Sequence, residues 1–224
     1  MCKEVYLTLK ITGIIVEYNP LHPGHIYHME QARKQTGADY LIAVMSGSFV
    51  QRGAPALLDK YTRTRMALLA GADVVIELPV CFAAGSAGDF AAGAVSLLDK
   101  LGCVDGLCFG SESGNLEELS SAADLLADES EEYQQVLRQH LKDGYPFPQA
   151  RAAAFSFCSP KTDPELLSQP NNTLGIEYLK AIKKQNSPVT PVTIKRMGSG
   201  YHEAVISSDQ PMASATAIRA VLEN

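Results

Sequence analysis

The sequence predicts an α/β fold in which helices flank a mainly parallel sheet. Short apolar runs typical of buried strands alternate with helical patterns, and this alternation is typical of βαβ units. The chain has 224 residues, of which 46% are apolar and 20% charged, so it has ordinary globular composition and enough length for one full domain. These values exclude disordered, collagen-like and coiled-coil proteins. We expect residues 1–224 to form a single domain.

The first half of the chain alternates three strands with two helices. Gly37 and Gly71 follow the two helical patterns and can supply the left-handed conformation that ends a helix. Asp59 is a suitable N-cap for the second helix. A loop rich in Gly and Ser, Ser46–Ala56, follows the second strand. The predicted strands are Ile11–Glu17, Tyr40–Met45 and Asp73–Glu77, and the predicted helices are Gly24–Gln35 and Lys60–Leu69.

Helices dominate the middle of the chain. The segment Phe82–Leu101 is rich in small residues and predicts a tightly packed helix, and Val104–Phe109 predicts a fourth strand. The strand signal then disappears from Asn115 to Phe157, so we expect a helical insertion that ends by about residue 170. Its predicted helices are Asn115–Ala127, Glu131–Lys142 and Gln149–Phe155.

The last part of the chain predicts a helix, a strand and a final helix. Asn171 or Asn172 would cap a helix that runs to about Lys184. Val189–Lys195 predicts a fifth strand, and Pro191, which has no N–H for a ladder, places it near an edge or at a strand start. The predicted final helix is Ala215–Leu222, with Ser214 as its N-cap.

The charge balance and the cysteines limit the class of protein. A formal charge of −6 argues against a general nucleic-acid binder, because neutralising phosphates requires surplus cations. Five cysteines without a CxxC pair are typical of buried thiols in a reducing compartment. The N-terminal segment lacks the features of a signal peptide, and the longest uncharged apolar stretch, Leu78–Gly88, is far shorter than the roughly 20 residues that span a bilayer. We therefore expect a cytoplasmic protein without a membrane partner.

Four loops are expected to meet at one edge of the sheet. In open parallel sheets, ligands bind beyond the carboxyl ends of the strands, where the strand order reverses. The loops concerned follow strands one, two, four and five. They comprise residues 18–25, 46–52, 110–112 and 196–202.

The most informative stretch runs from Glu17 to His25 and reads Glu-Tyr-Asn-Pro-Leu-His-Pro-Gly-His. It leads from a buried strand into the start of a helix, where free N–H groups and the helix dipole favour an anion. His22 and His25 could donate hydrogen bonds to phosphate oxygens, more strongly as negative charge grows in a transition state. His28 could face the same site or lie on the polar face of the next turn. We expect no metal site from these three histidines, because no carboxylate lies at ligand spacing.

The pattern His-x-Gly-His after a strand resembles the signature of the nucleotidylyltransferase superfamily of HIGH-type adenylating enzymes. Those enzymes act on the α-phosphate of ATP and release pyrophosphate. The superfamily's second motif, Ser-x-Thr-x-Ile-Arg, is present as Ser214–Arg219. There Ser214 would cap the helix, while Thr216, the helix amides and Arg219 would hold the distal phosphates. Taken alone, this hexapeptide would equally fit a capped helix with a surface arginine.

Further stretches closely resemble the bacterial tRNA(Met) cytidine acetate ligase family. The similarity begins near residue 13 and covers almost the whole chain from there. It implies a Rossmann-like fold of the HUP type. The stretches are Glu17–Pro20, Ser46–Gly53, Asp59–Arg63, Gly71–Pro79, Phe109–Glu112, Pro170–Gly175 and Arg196–His202.

This resemblance implies that ATP, together with Mg²⁺, activates acetate to acetyl-adenylate with release of pyrophosphate. The acetyl group would then pass to N4 of the wobble cytidine in elongator tRNA(Met). His22 and His25 would be catalytic, because acetate is a poor nucleophile and the reaction depends on positioning and charge stabilisation. The asparagine pair could instead serve only as helix caps, and Arg196 only as a surface charge. The residues implied for ATP binding are Ile15, Val16, Glu17, Tyr18, Asn19, Pro20, His22, Gly24, His25, His28, Gly110, Asn171, Asn172, Arg196, Ser214, Thr216 and Arg219.

A local group of basic residues follows the second strand. Lys60 and Arg63 can share one face of the predicted helix, and Arg52 and Arg65 lie nearby in the sequence. This group could steer acetate, pyrophosphate or tRNA, or it could form a solvated helix face. Possible contacts to substrate or tRNA are Ser46, Gln51, Arg52, Lys60 and Arg63.

The sequence departs from the resembled family in length, because family members carry a C-terminal extension after the Ser-x-Thr-x-Ile-Arg helix. We therefore expect the chain to bind ATP but to handle tRNA weakly. Two other functions stay open. One is a small-molecule adenylyl- or cytidylyltransferase, which would need a phosphate pocket for its second substrate, and the other is a nucleotide-binding module without chemistry. The oligomeric state is also left open.

Overall fold

A five-stranded parallel sheet forms the centre of the molecule. The computed structural model describes residues 9–160, 162–196 and 215–222, with the side chains of residues 52 and 164 left aside. The strand order is β3-β2-β1-β4-β5, and every neighbouring pair is parallel. The predicted α/β class is confirmed. The strands are β1 (Ile11–Val16), β2 (Tyr40–Ser46), β3 (Val74–Leu78), β4 (Gly106–Ser111) and β5 (Thr190–Lys195).

Helices connect the strands and cover both faces of the sheet. Pro191 lies in β5, and this strand is at an edge of the sheet, as predicted. Two short 3₁₀ helices, Gln51–Gly53 and Pro164–Leu167, lie in the connections. The α-helices are α1 (Pro23–Thr36), α2 (Lys60–Leu69), α3 (Val80–Ala83), α4 (Ala87–Lys100), α5 (Leu116–Asp128), α6 (Glu131–Lys142), α7 (Phe147–Cys158), α8 (Pro170–Gln185) and α9 (Ala215–Leu222).

Most element boundaries agree with the sequence prediction, and two differ for local reasons. The segment Phe82–Leu101 contains the predicted helix, α4, but this helix begins only at Ala87, because Ser86 and Asp89 form a capping box there. The residues before the cap belong to the short helix α3. The predicted cap by Asn171 or Asn172 is wrong. Pro170 opens α8 with its fixed φ and its missing N–H, so both asparagines already lie inside the first turn. Ser214, the predicted cap of α9, lies outside the described residues.

The core has two layers, one on each face of the sheet. On one face α1 packs on the inner strands, with Ile14, Met29 and Met45 buried between them. On the other face α4 and α8 pack on the sheet and on each other. The helices α5 to α7 of the expected insertion bury Leu119, Tyr133 and other apolar residues in this second layer. The insertion and the helices α4 and α8 therefore share one hydrophobic core. About 1.5–3 kcal/mol per fully buried large apolar side chain favours this arrangement.

Candidate functional site

A crevice opens between β1 and β4, where the order of the strands reverses. The two strands pair only from Thr12 to Ile14, and Ile14 is the partner of Cys108. Beyond that pair β1 continues beside β2, while β4 continues beside β5 as far as Ser111. The carboxyl ends of β1 and β4 therefore separate, and a cavity of about 530 Å³ lies there. That volume is typical of a site for a small molecule.

The predicted convergence of loops is confirmed at this cavity for the described residues, whereas residues 197–202 of the fourth loop lie outside them. The loop after β1 lines it, and Gln51, Gly110 and Arg196 reach it from the loops after β2, β4 and β5. The backbone N–H of Gln51 donates to Oε1 of Glu17 at 2.7 Å, which joins the first two of these loops. Of the residues predicted for ATP binding, those that line the cavity are Ile15, Val16, Glu17, Tyr18, Asn19, His22, Gly24, His25, His28, Gly110, Asn171, Arg196, Thr216 and Arg219.

His22 and His25 form the start of α1 together. Nδ1 of His22 accepts from the backbone N–H of Gly24 at 3.1 Å, and Nδ1 of His25 accepts from the backbone N–H of His22 at 3.2 Å. This is a capping box made of two imidazoles, whose ring centroids are 3.7 Å apart. A Cβ on Gly24 would lie 2.9 Å from Cε1 of His22, so glycine leaves room for the capping ring. The cap thus fixes both rings at the edge of the cavity.

The hydrogen bonds of the cap also fix the tautomers of these rings. Because each Nδ1 accepts a backbone N–H, the proton of each neutral ring lies on Nε2. Burial, and next Arg196, lowers the pKa of His22 to about 4. Burial lowers the pKa of His25 well below its usual value, and the nearby charges of His22, Arg196 and His28 act in the same direction. At neutral pH both residues are therefore neutral imidazoles with an Nε2–H donor.

His28 belongs to the same site and does not lie on a solvated helix face. It lines the cavity, and its Nε2 is 3.9 Å from Sγ of Cys108. Burial, and next Arg196, lowers the pKa of His28 to about 4. Burial raises the pKa of Cys108 to about 12, so the thiol stays protonated. The sequence could not have revealed this contact, since Cys108 lies in the apolar run that predicts β4 and looks like an ordinary core residue.

Tyr18 connects the end of β1 to the histidine pair. Its φ of 49° lies in the left-handed region, which a residue with a side chain adopts at an energetic cost and which is frequent at functional sites. The ring is 1% exposed and packs at a tilt on His25, with ring centroids 4.9 Å apart. Among the described residues its buried hydroxyl has no hydrogen-bond partner. Burial raises the pKa of this phenol.

Arg219 fixes α9 against the loop after β1. Its Nη1 donates to the main-chain oxygen of Asn19 at 2.6 Å, and its Nη2 donates to Oγ1 of Thr216 at 3.2 Å. Oδ1 of Asn19 accepts from the backbone N–H of Leu57 at 2.7 Å. The side chain of Asn19 is therefore engaged with the chain itself, while Thr216 and Arg219 line the cavity beside it. Pro20, also predicted for ATP binding, does not line it.

The structure separates the roles of Asn171 and Asn172. Asn172 is 1% exposed, and its Oδ1 accepts from the backbone N–H groups of Glu112 and Ser113 at 2.9 and 3.1 Å. It joins α8 to the loop after β4 and does not line the cavity, so its predicted contact with the nucleotide is not supported. Asn171 lines the cavity, where its Nδ2 donates to Oε1 of Glu112 at 2.6 Å and its Oδ1 accepts from Nη1 of Arg196 at 3.4 Å.

Gly110 lies beside Arg196 at the rim of the crevice. A Cβ at this position would lie 3.3 Å from Cγ of Arg196, so the missing side chain gives the arginine room to cross β4. From the sequence, we expected a glycine at position 110 because a nucleotide would approach the backbone closely there. In the structure the immediate neighbour is the arginine that lines the cavity.

Two of the residues predicted to contact substrate or tRNA are buried. Arg63 is fully buried, and its guanidinium donates to the main-chain oxygens of Glu17, Gly47 and Leu58. Ser46 is also fully buried, at the end of β2. Neither residue lines the cavity, so the structure gives no support to a contact of either with substrate or tRNA.

The other three residues predicted to contact substrate or tRNA lie in different places. Nζ of Lys60 is paired with Oε2 of Glu77 at 2.7 Å, away from the cavity, and both side chains are partly exposed. The backbone of Arg52 lies in the 3₁₀ helix Gln51–Gly53. Gln51, the third of these residues, lines the cavity.

Sequence reasoning missed one wall of the cavity. This wall comes from α4, β4, α7, the 3₁₀ helix Pro164–Leu167 and α8, and most of its members are apolar. On a helix such residues look like ordinary core positions, so no motif marks them. Its large apolar members are Phe90, Phe109, Phe147, Leu167, Leu174 and Tyr178.

Within residues 9–160, 162–196 and 215–222, no group of three His, Cys, Asp or Glu side chains could hold a metal ion. No helix of that part of the chain is long and apolar enough to cross a membrane.

Comparison with known proteins places this site in a family. The sequence model described as HIGH Nucleotidyl Transferase matches residues 9–224. The tRNA(Met) cytidine acetate ligase of Geobacillus sp. (strain WCH70) is 48% identical over 215 residues, which are 96% of this chain and 53% of that protein. The ligase of the same name from Caldanaerobacter subterraneus subsp. tengcongensis is 49% identical over 216 residues, which are again 96% of this chain and 53% of that protein. The chain thus spans about half the length of the curated relatives that it matches.

Solved structures agree with these sequence relatives. The apo crystal structure of Thermotoga maritima TmcAL superposes with a TM-score of 0.88 at 44% identity, over 96% of this chain and 52% of that one. A second form of the same protein, bound with alpha-thio ATP, superposes with a TM-score of 0.83 over 96% of this chain and 50% of that one. The fold is therefore the Rossmann-like one that the resemblance implied. With the family match over residues 9–224 and the two histidines of the motif fixed in the crevice, the chain belongs to the HIGH nucleotidyl transferase family.

Proposed function

We propose that this chain carries the ATP-dependent acetate-activating site of a tRNA(Met) cytidine acetate ligase. The observation that carries the proposal is the imidazole capping box, which holds His22 and His25 as neutral Nε2–H donors at a helix N-terminus in the crevice. The relatives named tRNA(Met) cytidine acetate ligase support the choice of substrate, and TmcAL bound with alpha-thio ATP supports the nucleotide. Acetate, ATP and tRNA would meet in the cytoplasm.

In the first step a carboxylate oxygen of acetate attacks the α-phosphorus of ATP. The bond from that phosphorus to the bridging oxygen breaks, and pyrophosphate leaves with the electron pair. Negative charge grows on the α-phosphate oxygens in the transition state, so preorganised Nε2–H donors on His22 and His25 would stabilise the transition state more than the ground state. Neutral donors need no proton uptake, which suits a reaction at neutral pH.

Other residues of the cavity would bind the nucleotide. Thr216 and Arg219, with the N-terminal amides of α9, would hold the β- and γ-phosphates. Asn171, Arg196 and Gly110 would line the adenosine side, along with the backbone at the end of β1. His28 lies deeper and would position the histidine pair. These assignments rest on the positions of the residues in the cavity and on the resemblance to the family.

Mg²⁺ would reach the site as part of the MgATP substrate. Glu17 is the carboxylate that lines the cavity in the described part of the chain, and its Oε1 already accepts from Gln51. One engaged carboxylate does not form a protein cage for Mg²⁺, which is usually held in such sites largely by phosphates and water.

In the second step N4 of cytidine attacks the acetyl carbonyl of the adenylate. The bond between the carbonyl carbon and the phosphate oxygen breaks, AMP leaves with the electron pair, and the nitrogen releases one proton to solvent. An acyl-adenylate is already a strong acyl donor, so this step needs alignment more than base catalysis.

One assay tests the adenylate-forming step by itself. Pyrophosphate release from ATP is measured with acetate, with longer carboxylates, with a phosphorylated acceptor and with no acceptor, and ATP binding is measured alongside. Release that depends on acetate supports the proposal. Release with a phosphorylated acceptor and not with acetate would identify a small-molecule adenylyl- or cytidylyltransferase instead. ATP binding without release under all conditions would identify a binding module.

A further inference from the structure

The cavity has two chemically different walls. The groups suited to phosphate, which are His22, His25, Thr216 and Arg219, come from the starts of α1 and α9. The other wall comes from α4, β4, α7, the 3₁₀ helix Pro164–Leu167 and α8, and it is mainly aromatic and aliphatic. Its apolar members are Phe90, Phe109, Phe147, Leu167, Leu174 and Tyr178. These apolar side chains offer no hydrogen bond or charge to a triphosphate, so we expect them to face a different part of the substrates.

Phe147 stands out among these residues because it is exposed. Phe90 and Phe109 are 2% and 3% exposed and belong to the core, whereas Phe147 is 57% exposed at the first position of α7. The cavity and the solvent therefore meet at this ring. Pro146 and Pro148 flank it and fix the local backbone, so the ring is presented from a stiff helix start.

Exposure alone does not mark Phe147 as a binding residue, because α7 carries a second exposed phenylalanine. Phe157, near the end of α7, is 63% exposed but does not line the cavity. Single exposed apolar side chains need no explanation, whereas an exposed aromatic ring at the mouth of a nucleotide-sized cavity is a surface on which a planar ligand can stack.

The charge near Phe147 favours a base over a phosphate. Arg151 lies one helical turn further along α7 and also lines the cavity, but its Nη2 is paired with Oε1 of Glu177 at 2.6 Å. Glu177 also pairs with Lys180 at 3.0 Å, and all three side chains are mostly buried. The cation nearest to Phe147 on α7 is thus held in an ion-pair network and is not displayed as a phosphate contact.

We propose that the exposed ring of Phe147 is the platform on which the acceptor pyrimidine base of a single-stranded RNA stacks beside the adenylate site. The inference rests on the proposed function and extends it by assigning the wall that receives the RNA base. Bases of single-stranded RNA are commonly held by stacking on aromatic side chains, because every base has a π-face. Stacking also leaves the exocyclic N4 of cytosine free at the edge of the ring, where it must react.

The test compares three variants in two measurements. Equilibrium binding is measured with a short labelled single-stranded RNA that carries one central cytidine, and pyrophosphate release is measured with ATP and acetate. Phe147→Ala is expected to weaken RNA binding by roughly 5- to 150-fold, the range found for loss of one base–aromatic stack. Phe147→Tyr keeps the ring and should bind within about twofold of the wild type. Phe157→Ala is the matched control and should bind like the wild type.

The salt dependence separates stacking from phosphate contacts. The slope of log Kd against log salt concentration should be the same for Phe147→Ala and the wild type, because no phosphate contact is lost. The KM for ATP should also be unchanged. RNA binding by Phe147→Ala at wild-type strength, an equal loss in Phe157→Ala, or a raised KM for ATP from adenine stacking would each overturn the assignment.

The two proposals fail in different ways. If the wild-type chain releases pyrophosphate with acetate but shows no RNA binding in this titration, the stacking platform is overturned and the adenylate-forming activity stands. If no carboxylate supports pyrophosphate release but Phe147→Ala still weakens RNA binding, the adenylate-forming function is overturned and the platform stands.

Discussion

Nη1 of Arg63 donates to the main-chain oxygen of Glu17 at 2.6 Å, and this guanidinium is fully buried. Its Nε donates to the main-chain oxygen of Leu58 at 3.1 Å, and its Nη2 donates to that of Gly47. One planar side chain thus fastens the end of β1, the loop after β2 and the start of α2. The five donors of an arginine, arranged in a rigid fork, suit this task in a way that a lysine cannot match.

Replacement of Arg63 should therefore affect stability first. Arg63→Ala removes the donor to three carbonyl oxygens, each at a cost of about 1–3 kcal/mol, so we expect the free energy of unfolding to fall by at least about 3 kcal/mol. Arg63→Lys should fall between the alanine variant and the wild type. Urea unfolding measures the effect, with Arg65→Ala on the exposed face of α2 as the control, expected within about 0.5 kcal/mol of the wild type. Equal losses in the two alanine variants would contradict this role.

His25→Ala should lower turnover more than nucleotide affinity. The Nε2–H donor is assigned to charge that grows in the transition state, and removal of one such donor costs about 10²- to 10³-fold in kcat. The KM for ATP should change only a few-fold, as measured by pyrophosphate release at varied ATP concentration. His25→Gln keeps an acceptor at the third position of the capping box and should unfold like the wild type, which separates chemistry from folding. His140→Ala on α6, outside the cavity, is the control. An unchanged kcat in His25→Ala would exclude the assigned role.

The buried histidines should make stability depend on pH. The pKa of His22 and of His28 is lowered to about 4, whereas an unfolded chain binds these protons near pH 6.5. Between these values the unfolded state binds more protons, so the free energy of unfolding falls as pH falls from about 6.5 toward 4. Each histidine contributes a slope of at most about 1.4 kcal/mol per pH unit.

Urea unfolding between pH 7.5 and 4.5 checks this dependence. His22→Asn keeps a good N-cap but cannot take up a proton, so its stability should fall less steeply with decreasing pH than that of the wild type. Identical slopes in the two proteins would show that His22 has no lowered pKa. Above about pH 7 the two curves should run parallel.

The neighbours Asn171 and Asn172 should give opposite phenotypes. Asn172 is buried and satisfies the N–H groups of Glu112 and Ser113, so Asn172→Ala should cost about 1–3 kcal/mol in stability. Asn171 lines the cavity beside Arg196, so Asn171→Ala should raise the KM for ATP several-fold with a smaller loss of stability. Urea unfolding and ATP kinetics on both variants provide the comparison. The reverse pattern would exchange the two assignments.

Much of the fold could be predicted because its signals are local. The strands read as apolar runs, Asp59 and Gly37 mark helix ends through their own backbone and side-chain preferences, and α2 and α6 have the predicted bounds. The histidine motif is local too, since His22 and His25 form one turn of one helix and need no distant partner to start it. Its place after the first strand, together with the strand order of such sheets, was sufficient to predict where the loops meet.

Only the tertiary structure decided how individual polar side chains are used. Arg63 and Glu17 lie 46 positions apart, and Asn172 and Glu112 lie 60 apart, so nothing in either neighbourhood marks the bonds between them. The sequence by itself determined the element types, the crevice and the histidine pair, which depend on periodicity and backbone preference. The structure decided that Arg63 and Asn172 stabilise the chain and that Phe147 is an exposed member of the cavity wall. The physical reason is that burial and hydrogen bonding depend on which distant segments fill the space around a side chain.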